Sequence, residues 1–123
     1  MKLSIIVPTF NNEKTLDECL RSIFSQKFSE KEFEVLLIDG GSTDRTLQIA
    51  KKYPVKLLKN PERIEEKARI LGVKEARGKI IGFVDADNIL VGRNWIEKML
   101  HPFKDKEISF ADTLYFGYRS KYN

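Results

Sequence analysis

A chain of 123 residues holds one hydrophobic core rather than two, and 41% hydrophobic with 33% charged residues excludes a disordered chain. No apolar run reaches bilayer length, Met1-Lys2 leads into a strand rather than a signal peptide, and a single cysteine, Cys19, excludes an internal disulfide framework. The formal charge of +4 is spread in short clusters such as Lys51-Lys52. That is no nucleic-acid stripe, but it favours phosphorylated ligands or an anionic membrane surface. The expectation is a reducing, cytoplasmic setting, with peripheral contact to the inner membrane face left open, and no nucleic-acid partner.

Leu3-Ser4-Ile5-Ile6-Val7 is a compact apolar strand, and Pro8, which lacks an N–H, is expected to end its pairing. Thr9 to Asn12 forms a loop. From Glu13 the period becomes helical: Leu16, Leu20, Ile23 and Phe24 share one face, with Lys14, Asp17, Glu18 and Arg21 outside. Cys19 is spaced like a core residue of this helix and reads as a buried, inert thiol. Phe33 to Ile38 is a second buried strand, ending at Asp39. Gly40-Gly41-Ser42-Thr43-Asp44 is a tight turn into a helix with Ser42 or Thr43 as N-cap, and Thr46 to Ala50 continue that helix. Val55 to Leu58 is a third, more exposed strand.

Asn60-Pro61-Glu62 has the cap, the proline and the first-turn acid of a helix start. Ile64, Ala68 and Leu71 make its apolar stripe, with Arg69 beside it, and Gly78 stops it. The run from Lys79 to Val84 reads as a strand buried on both faces, and Asp85-Ala86-Asp87-Asn88 follows almost without a spacer. Unpaired carboxylates cannot sit inside such a strand, because desolvation penalises each charge heavily, so the pair must emerge at its carboxyl end. Gly92 to Met99 is a further helix with Trp95, Ile96 and Met99 facing inward. His101, with no Cys or second His beside it, reads as a helix-end residue rather than a ligand. Ile108 to Asp112 alternates like a strand, and 113–122 is aromatic and basic. This β-α alternation predicts an α/β domain with a mostly parallel sheet and helices on both faces.

In a parallel sheet the strand carboxyl ends share one edge, so Pro8-Thr9-Phe10-Asn11, Asp39-Gly40-Gly41-Ser42 and Asp85-Ala86-Asp87 converge. Two hard oxygen ligands there suit Mn²⁺ or Mg²⁺ bridging to the phosphates of a nucleotide. Turn formation explains Asp-x-Asp alone equally well. Gly40 and Gly41 allow close approach of a ligand, and the helix start behind them favours anionic groups. The phosphate-loop pattern Gly-x-x-x-x-Gly-Lys-Ser/Thr is absent, and so is Gly-x-Gly-x-x-Gly after the first strand. The acid pair follows the fourth strand, not the first as in haloacid-dehalogenase-type phosphatases.

Four ordered motifs resemble the family 2 glycosyltransferases, whose GT-A fold is Rossmann-like. They are Ser4 to Asn11, Leu37 to Asp44, Ala68-Arg69-Ile70-Leu71-Gly72, and Gly78 to Asp87. The resemblance covers the chain to about Met99 and implies a site for a nucleotide-diphosphate sugar. By matching position, Pro8, Thr9 and Phe10 would line the nucleoside pocket and Asp39 would lie near the base or ribose. Arg69 would sit beside the nucleotide, Asp85 and Ala86 would contact it, and Asp87, with Asp85, would hold Mn²⁺ or Mg²⁺. Without the resemblance, Arg69 reads as a solvated residue pairing with Glu65. The implied reaction is inverting transfer to an unknown acceptor (saccharide, lipid or protein).

Two departures qualify that expectation. Gly40 stands where many members carry a second acid that helps read the base. The chain also stops at Asn123, so residues 1–123 read as a single donor-binding domain truncated after the metal motif. Among later carboxylates, Glu97, Asp105 and Glu107 read as solvated, and Asp112 alone is a candidate catalytic base. A donor-binding module without transferase activity is the alternative, and a structural domain whose acids only form turns is another. The 108–118 tail, with Phe110, Leu114, Tyr115 and Phe116, is expected to stay uncovered and to drive self-association.

Overall fold

Residues 3, 5 and 7 of the first strand point to one face of the sheet and residue 6 to the other, and all four are apolar and buried. A strand of that kind needs layers on both sides, and the computed structural model, which describes residues 1–105 and 118–120, provides them. Strands β1 (Leu3–Thr9), β2 (Phe33–Asp39), β3 (Lys56–Lys59) and β4 (Ile80–Phe83) form one parallel sheet in the order β3-β2-β1-β4. Helix α1 (Leu16–Phe24) links β1 to β2, α2 (Thr46–Ala50) links β2 to β3, and α3 (Glu65–Glu75) links β3 to β4. Beyond β4, a short β5 (Asn88–Leu90) pairs antiparallel with β6 (Tyr118–Ser120), and α4 (Trp95–Leu100) runs into a 3₁₀ turn at His101–Lys104. No helix among the described residues is long and apolar enough to cross a membrane.

The larger core lies on one face, where Leu3, Ile5 and Val7 pack with Leu16, Cys19, Leu20 and Ile23 of α1 and with Trp95 and Ile96 of α4. Among the described residues the opposite face is covered by α3, where Ile6, Leu36 and Ile38 meet Ala68. Small residues set how close that helix comes. A Cβ on Gly72 would lie 2.7 Å from the Ile6 side chain, so Ala at position 72 would overpack the interface.

The elements depart from the sequence expectations in five places, each for a local reason. Pro8 lies inside β1, opposite Ile38, past the point where β4 stops pairing at Ile6↔Phe83, so its missing N–H costs no ladder bond to β4. Helix α2 begins at Thr46, and neither Ser42 nor Thr43 caps it; Asp44 instead accepts the Thr46 N–H. Asn60 does not cap α3, which starts at Glu65, because Arg63 takes a left-handed φ of 56° that no helix continues through. Strand β4 is not buried on both faces: among the described residues it is the last strand of the sheet, and Phe83 is 46% exposed. Finally, Asn88 opens β5, and α4 starts at Trp95 rather than Gly92, whose φ is +82°. The 108–112 strand, most of the 108–118 tail and Glu107 lie outside the described residues.

The amino-terminal ends of the strands are tied together by one acid. The Ser4 hydroxyl donates to Glu34 Oε2 at 2.6 Å, and so does the Arg77 N–H at 2.7 Å, while the Gly78 N–H donates to Ser4 Oγ at 2.8 Å. A Cβ at Gly78 would fall 2.5 Å from the Leu3 and Ser4 backbone, so the clasp closes only around glycine. Burial pushes the Glu34 carboxyl up, but the hydrogen bonds from Ser4 and Arg77 and the Arg77 charge outweigh it and hold the group below the ordinary carboxylate range. A depressed folded-state pKa stabilises the fold above the unfolded value of 4.5, and that stability fades as pH falls through the folded value. Glu34→Gln is therefore expected to cost about 1–3 kcal/mol at pH 7 in urea unfolding. The gap to the parent should narrow at pH 3; a gap that persists there would remove the charge from the explanation.

Candidate functional site

Parallel strands deliver their carboxyl ends to one edge, and four loops meet there: 9–13 after β1, 39–46 after β2, 59–64 after β3 and 84–88 after β4. Asp39 anchors the second of these. It is 3% exposed, and its carboxylate accepts the Gly41 N–H at 3.0 Å, the Ser42 N–H at 3.0 Å and the Ser42 hydroxyl at 2.5 Å. The turn needs Gly41, whose φ of +95° is one that residues with a Cβ rarely adopt.

The first loop is locked to the second by side chains acting as backbone partners. Asn11, at φ 49°, accepts the Thr43 N–H on its side-chain oxygen and donates its own N–H to Ser42 Oγ. The Asn12 side chain accepts the Thr9 hydroxyl at 2.7 Å and the Phe10 N–H at 2.9 Å, and its N–H donates to Thr46 Oγ1 at 2.8 Å. The Glu13 N–H donates to Asp44, and the Arg45 N–H donates to the Glu13 carboxylate. Desolvation acts to raise the Asp44 carboxyl, but hydrogen bonds from the Thr46 hydroxyl, the Thr46 N–H and the Glu13 N–H prevail and hold it below the usual range.

The third loop closes over the second. The Asn60 N–H donates to the Asp39 carbonyl at 2.7 Å, and the Asn60 side-chain amide donates to the Ile64 carbonyl at 2.9 Å. Arg63 turns back so that its Nε–H donates to the Gly40 carbonyl at 3.1 Å, with its guanidinium carbon 3.6 Å from the centre of the Phe10 ring.

The fourth loop differs in kind. Asp85 is exposed, Asp87 half-buried and Ala86 buried between them. Neither carboxylate accepts a hydrogen bond or pairs with a cation among the described residues. The loop is held by its backbone instead: the Asn88 N–H donates to the Asp85 carbonyl at 3.0 Å, and the Cys19 thiol lies 3.5 Å from the same oxygen. Burial first, then the Asp87 and Asp85 charges, push that thiol up to about 12, so it stays protonated and inert at neutral pH.

A cleft of about 460 Å³ runs along this edge. Of the residues expected at the site, Pro8, Thr9, Phe10, Asp85, Ala86 and Asp87 line it together. Asp39 does not; its carboxylate faces its own turn. Arg69 does not either. It pairs with Glu65 at 3.5 Å and lines a separate cavity of about 190 Å³ with Asp85, Phe83 and Trp95. Asp112 lies outside the described residues. Sequence reasoning missed Asn12, Asn60 and Arg63. The Asn11-Asn12 pair after an apolar strand is an Asx-turn signal that leads to Asn12, whereas nothing local in the sequence marks Arg63 as left-handed.

No group of three or more His, Cys, Asp or Glu side chains is placed to hold a metal among the described residues. Two unengaged carboxylates in a cleft still fit an ion of the Mg²⁺ type. Such ions take one or two protein carboxylates and fill their remaining positions with water and phosphate oxygens.

The model of the family described as glycosyl transferase family 2 matches residues 4–122. The poly(ribitol-phosphate) β-N-acetylglucosaminyltransferase TarS of Staphylococcus aureus is 43% identical over 96 residues, covering 73% of this chain and 17% of that protein. The crystal structure of its residues 1–349 with UDP-GlcNAc superposes with a TM-score of 0.72 at 37% identity, over 86% of this chain and 32% of that one. The mannosyltransferase PcManGT of Pyrobaculum calidifontis, solved with GDP-Man and Mn²⁺, gives a TM-score of 0.74 at 27% identity, over 80% of this chain and 31% of its own. This chain thus spans a third or less of these relatives' length.

Asp39→Asn keeps the volume but replaces one acceptor oxygen by a donor facing the Gly41 and Ser42 N–H groups. The expected result is a loss of about 1–3 kcal/mol of stability in chemical denaturation, because buried donors are left unmet. Unchanged stability with a weakened ligand would instead make Asp39 a ligand contact.

Proposed function

The chain belongs to glycosyl transferase family 2, and we propose that its cleft binds a nucleotide-diphosphate sugar as the donor in a transfer reaction. One observation carries this reading: Pro8, Thr9 and Phe10 share a single cleft with two carboxylates, Asp85 and Asp87, that have no partner among the described residues. The apolar and aromatic surface suits a nucleoside, and the carboxylates suit a divalent ion between protein and diphosphate. The relatives solved with UDP-GlcNAc, and with GDP-Man and Mn²⁺, support the same assignment.

In this reading Asp87, aided by Asp85, holds Mn²⁺ or Mg²⁺. The bound ion would neutralise charge gathering on the leaving diphosphate. The residues of the first three loops bind and orient the nucleoside, and the hydrogen bonds between those loops set the shape of the cleft before reaction begins. The transfer is inverting: an acceptor hydroxyl oxygen bonds to the anomeric carbon opposite the diphosphate. The sugar–phosphate C–O bond breaks with its electron pair going to the diphosphate oxygen, and the hydroxyl proton passes to a carboxylate base. Asp112 is the base candidate that the sequence offers. The acceptor is a saccharide, lipid or protein hydroxyl.

The reading is tested by calorimetry with UDP and GDP, with Mn²⁺ and with excess chelator. Tight binding is expected only with the metal. Asp87→Asn should weaken it by about 2–4 kcal/mol, as for loss of one partner in a charge-paired site, while the unliganded melting temperature barely moves. Metal-independent binding, or affinity unchanged in the variant, would overturn the assignment.

A further inference from the structure

The cleft carries a cation that no motif accounts for. Arg63 leaves the helical path at φ 56°, crosses from the β3 loop to the β2 loop and lies against Phe10. It fits there because residue 40 has no side chain. A Cβ on Gly40 would stand 2.9 Å from Arg63 Cγ, inside any contact that real side chains keep, whereas Phe10 would be at an ordinary 3.5 Å. Gly40 itself has no left-handed φ, so the backbone does not demand glycine there; the arginine stem does.

The place of this cation along the cleft follows from the strand order. Asp85 and Asp87 follow β4, and Gly40 follows β2, with β1 between them. Two strand spacings put Gly40, with the Arg63 stem against it, roughly 10 Å from the acidic pair. If the diphosphate lies at Asp85 and Asp87, as proposed above, the far end receives the base. The Arg63 Nε–H is spent on the Gly40 carbonyl, and beyond the Phe10 ring the two terminal nitrogens have no hydrogen-bond acceptor among the described residues. Guanidinium nitrogens are donors only. The group they satisfy is an acceptor, and on a nucleobase edge the strong acceptor is an exocyclic carbonyl.

We propose that Arg63, seated in the space left open by Gly40, is the base-reading residue of this cleft and selects nucleotides whose base carries a carbonyl, such as uracil or guanine, over adenine. This inference rests on the donor-site reading and adds to it the specificity determinant.

The experiment measures UDP, GDP, ADP and pyrophosphate binding to the full 123-residue chain with Mn²⁺, in the parent, Arg63→Met, Gly40→Ala and the double variant. Met keeps an unbranched apolar stem but removes the donors; Ala at position 40 leaves the arginine in the chain but displaces it. Both single variants are expected to lose about 10- to 100-fold in UDP and GDP affinity, with ADP and pyrophosphate changed less than about 2-fold. The double variant should lose no more than Arg63→Met alone, because both changes remove one interaction. Melting temperatures are followed alongside, and the selective loss must appear at saturating folded fraction. An equal loss for all four ligands would make Arg63 a phosphate contact and overturn the proposal. So would unchanged affinity in Arg63→Met while the parent binds UDP, an outcome that leaves the donor site standing. A parent that binds none of the four would bring down the donor-site reading and this inference together.

Discussion

A carboxylate buried at the end of a β-strand must be met by donors close at hand, because its desolvation is worth more than the fold can spare. Asp39 meets that condition by folding the next three residues around itself, taking the Gly41 N–H, the Ser42 N–H and the Ser42 hydroxyl. Much else hangs on that turn. Ser42 Oγ is then placed to accept the Asn11 N–H, and the Asp39 carbonyl to accept the Asn60 N–H, so three loops from three strands share one hydrogen-bonded frame. The cleft is the surface that this frame presents.

Three aspartates in similar sequence contexts thus do different work. Asp39 spends its charge inward, on structure. Asp85 and Asp87 leave theirs unspent among the described residues, on a loop whose Asp85 carbonyl takes the Asn88 N–H and the Cys19 thiol. A hydrogen-bonded frame beside two carboxylates without a partner among the described residues is the arrangement expected where binding geometry is set in advance and charge is left for a ligand to meet. Cys19 contributes through packing and its thiol contact with the Asp85 carbonyl, and a protonated thiol beneath the acidic loop adds no third charge to it.

The sheet and its helices were legible because their signals are periodic. Leu16, Leu20 and Ile23 fall at helical spacing, and the apolar runs at 3–7 and 33–38 admit little else than buried strands. Convergence of the strand ends followed from topology alone, and so Pro8 to Phe10 and Asp85 to Asp87 could be assigned to one cleft without coordinates. What stayed hidden depends on single dihedral angles or on partners distant in sequence. Asn60-Pro61-Glu62 has every local mark of a helix start, yet Arg63 adopts φ 56° and delays the helix to Glu65. Asp39 looks like Asp85 in sequence, since both end an apolar strand. Only the positive φ of Gly41, which returns two N–H groups to Asp39, separates their roles. Phe83 reads as core but lies on the outermost strand among the described residues, a position set by strand order and not by its own neighbours.

Gly40 and Arg63 are coupled in the same way, across 23 residues of sequence, and the pair gives the far end of the cleft a donor character opposite to that of the acidic end. A bound nucleotide would therefore run in one direction, diphosphate at the β4 end and base at the β2 and β3 end. The most direct measurement of it is an anomalous difference map from crystals grown with Mn²⁺ and UDP. The expected result is one manganese peak bonded to the Asp87 carboxylate, with the uracil at the β2 end of the cleft and a carbonyl oxygen within hydrogen-bond reach of the Arg63 guanidinium. A manganese peak away from Asp85 and Asp87, or a uracil packed beside them, would contradict it.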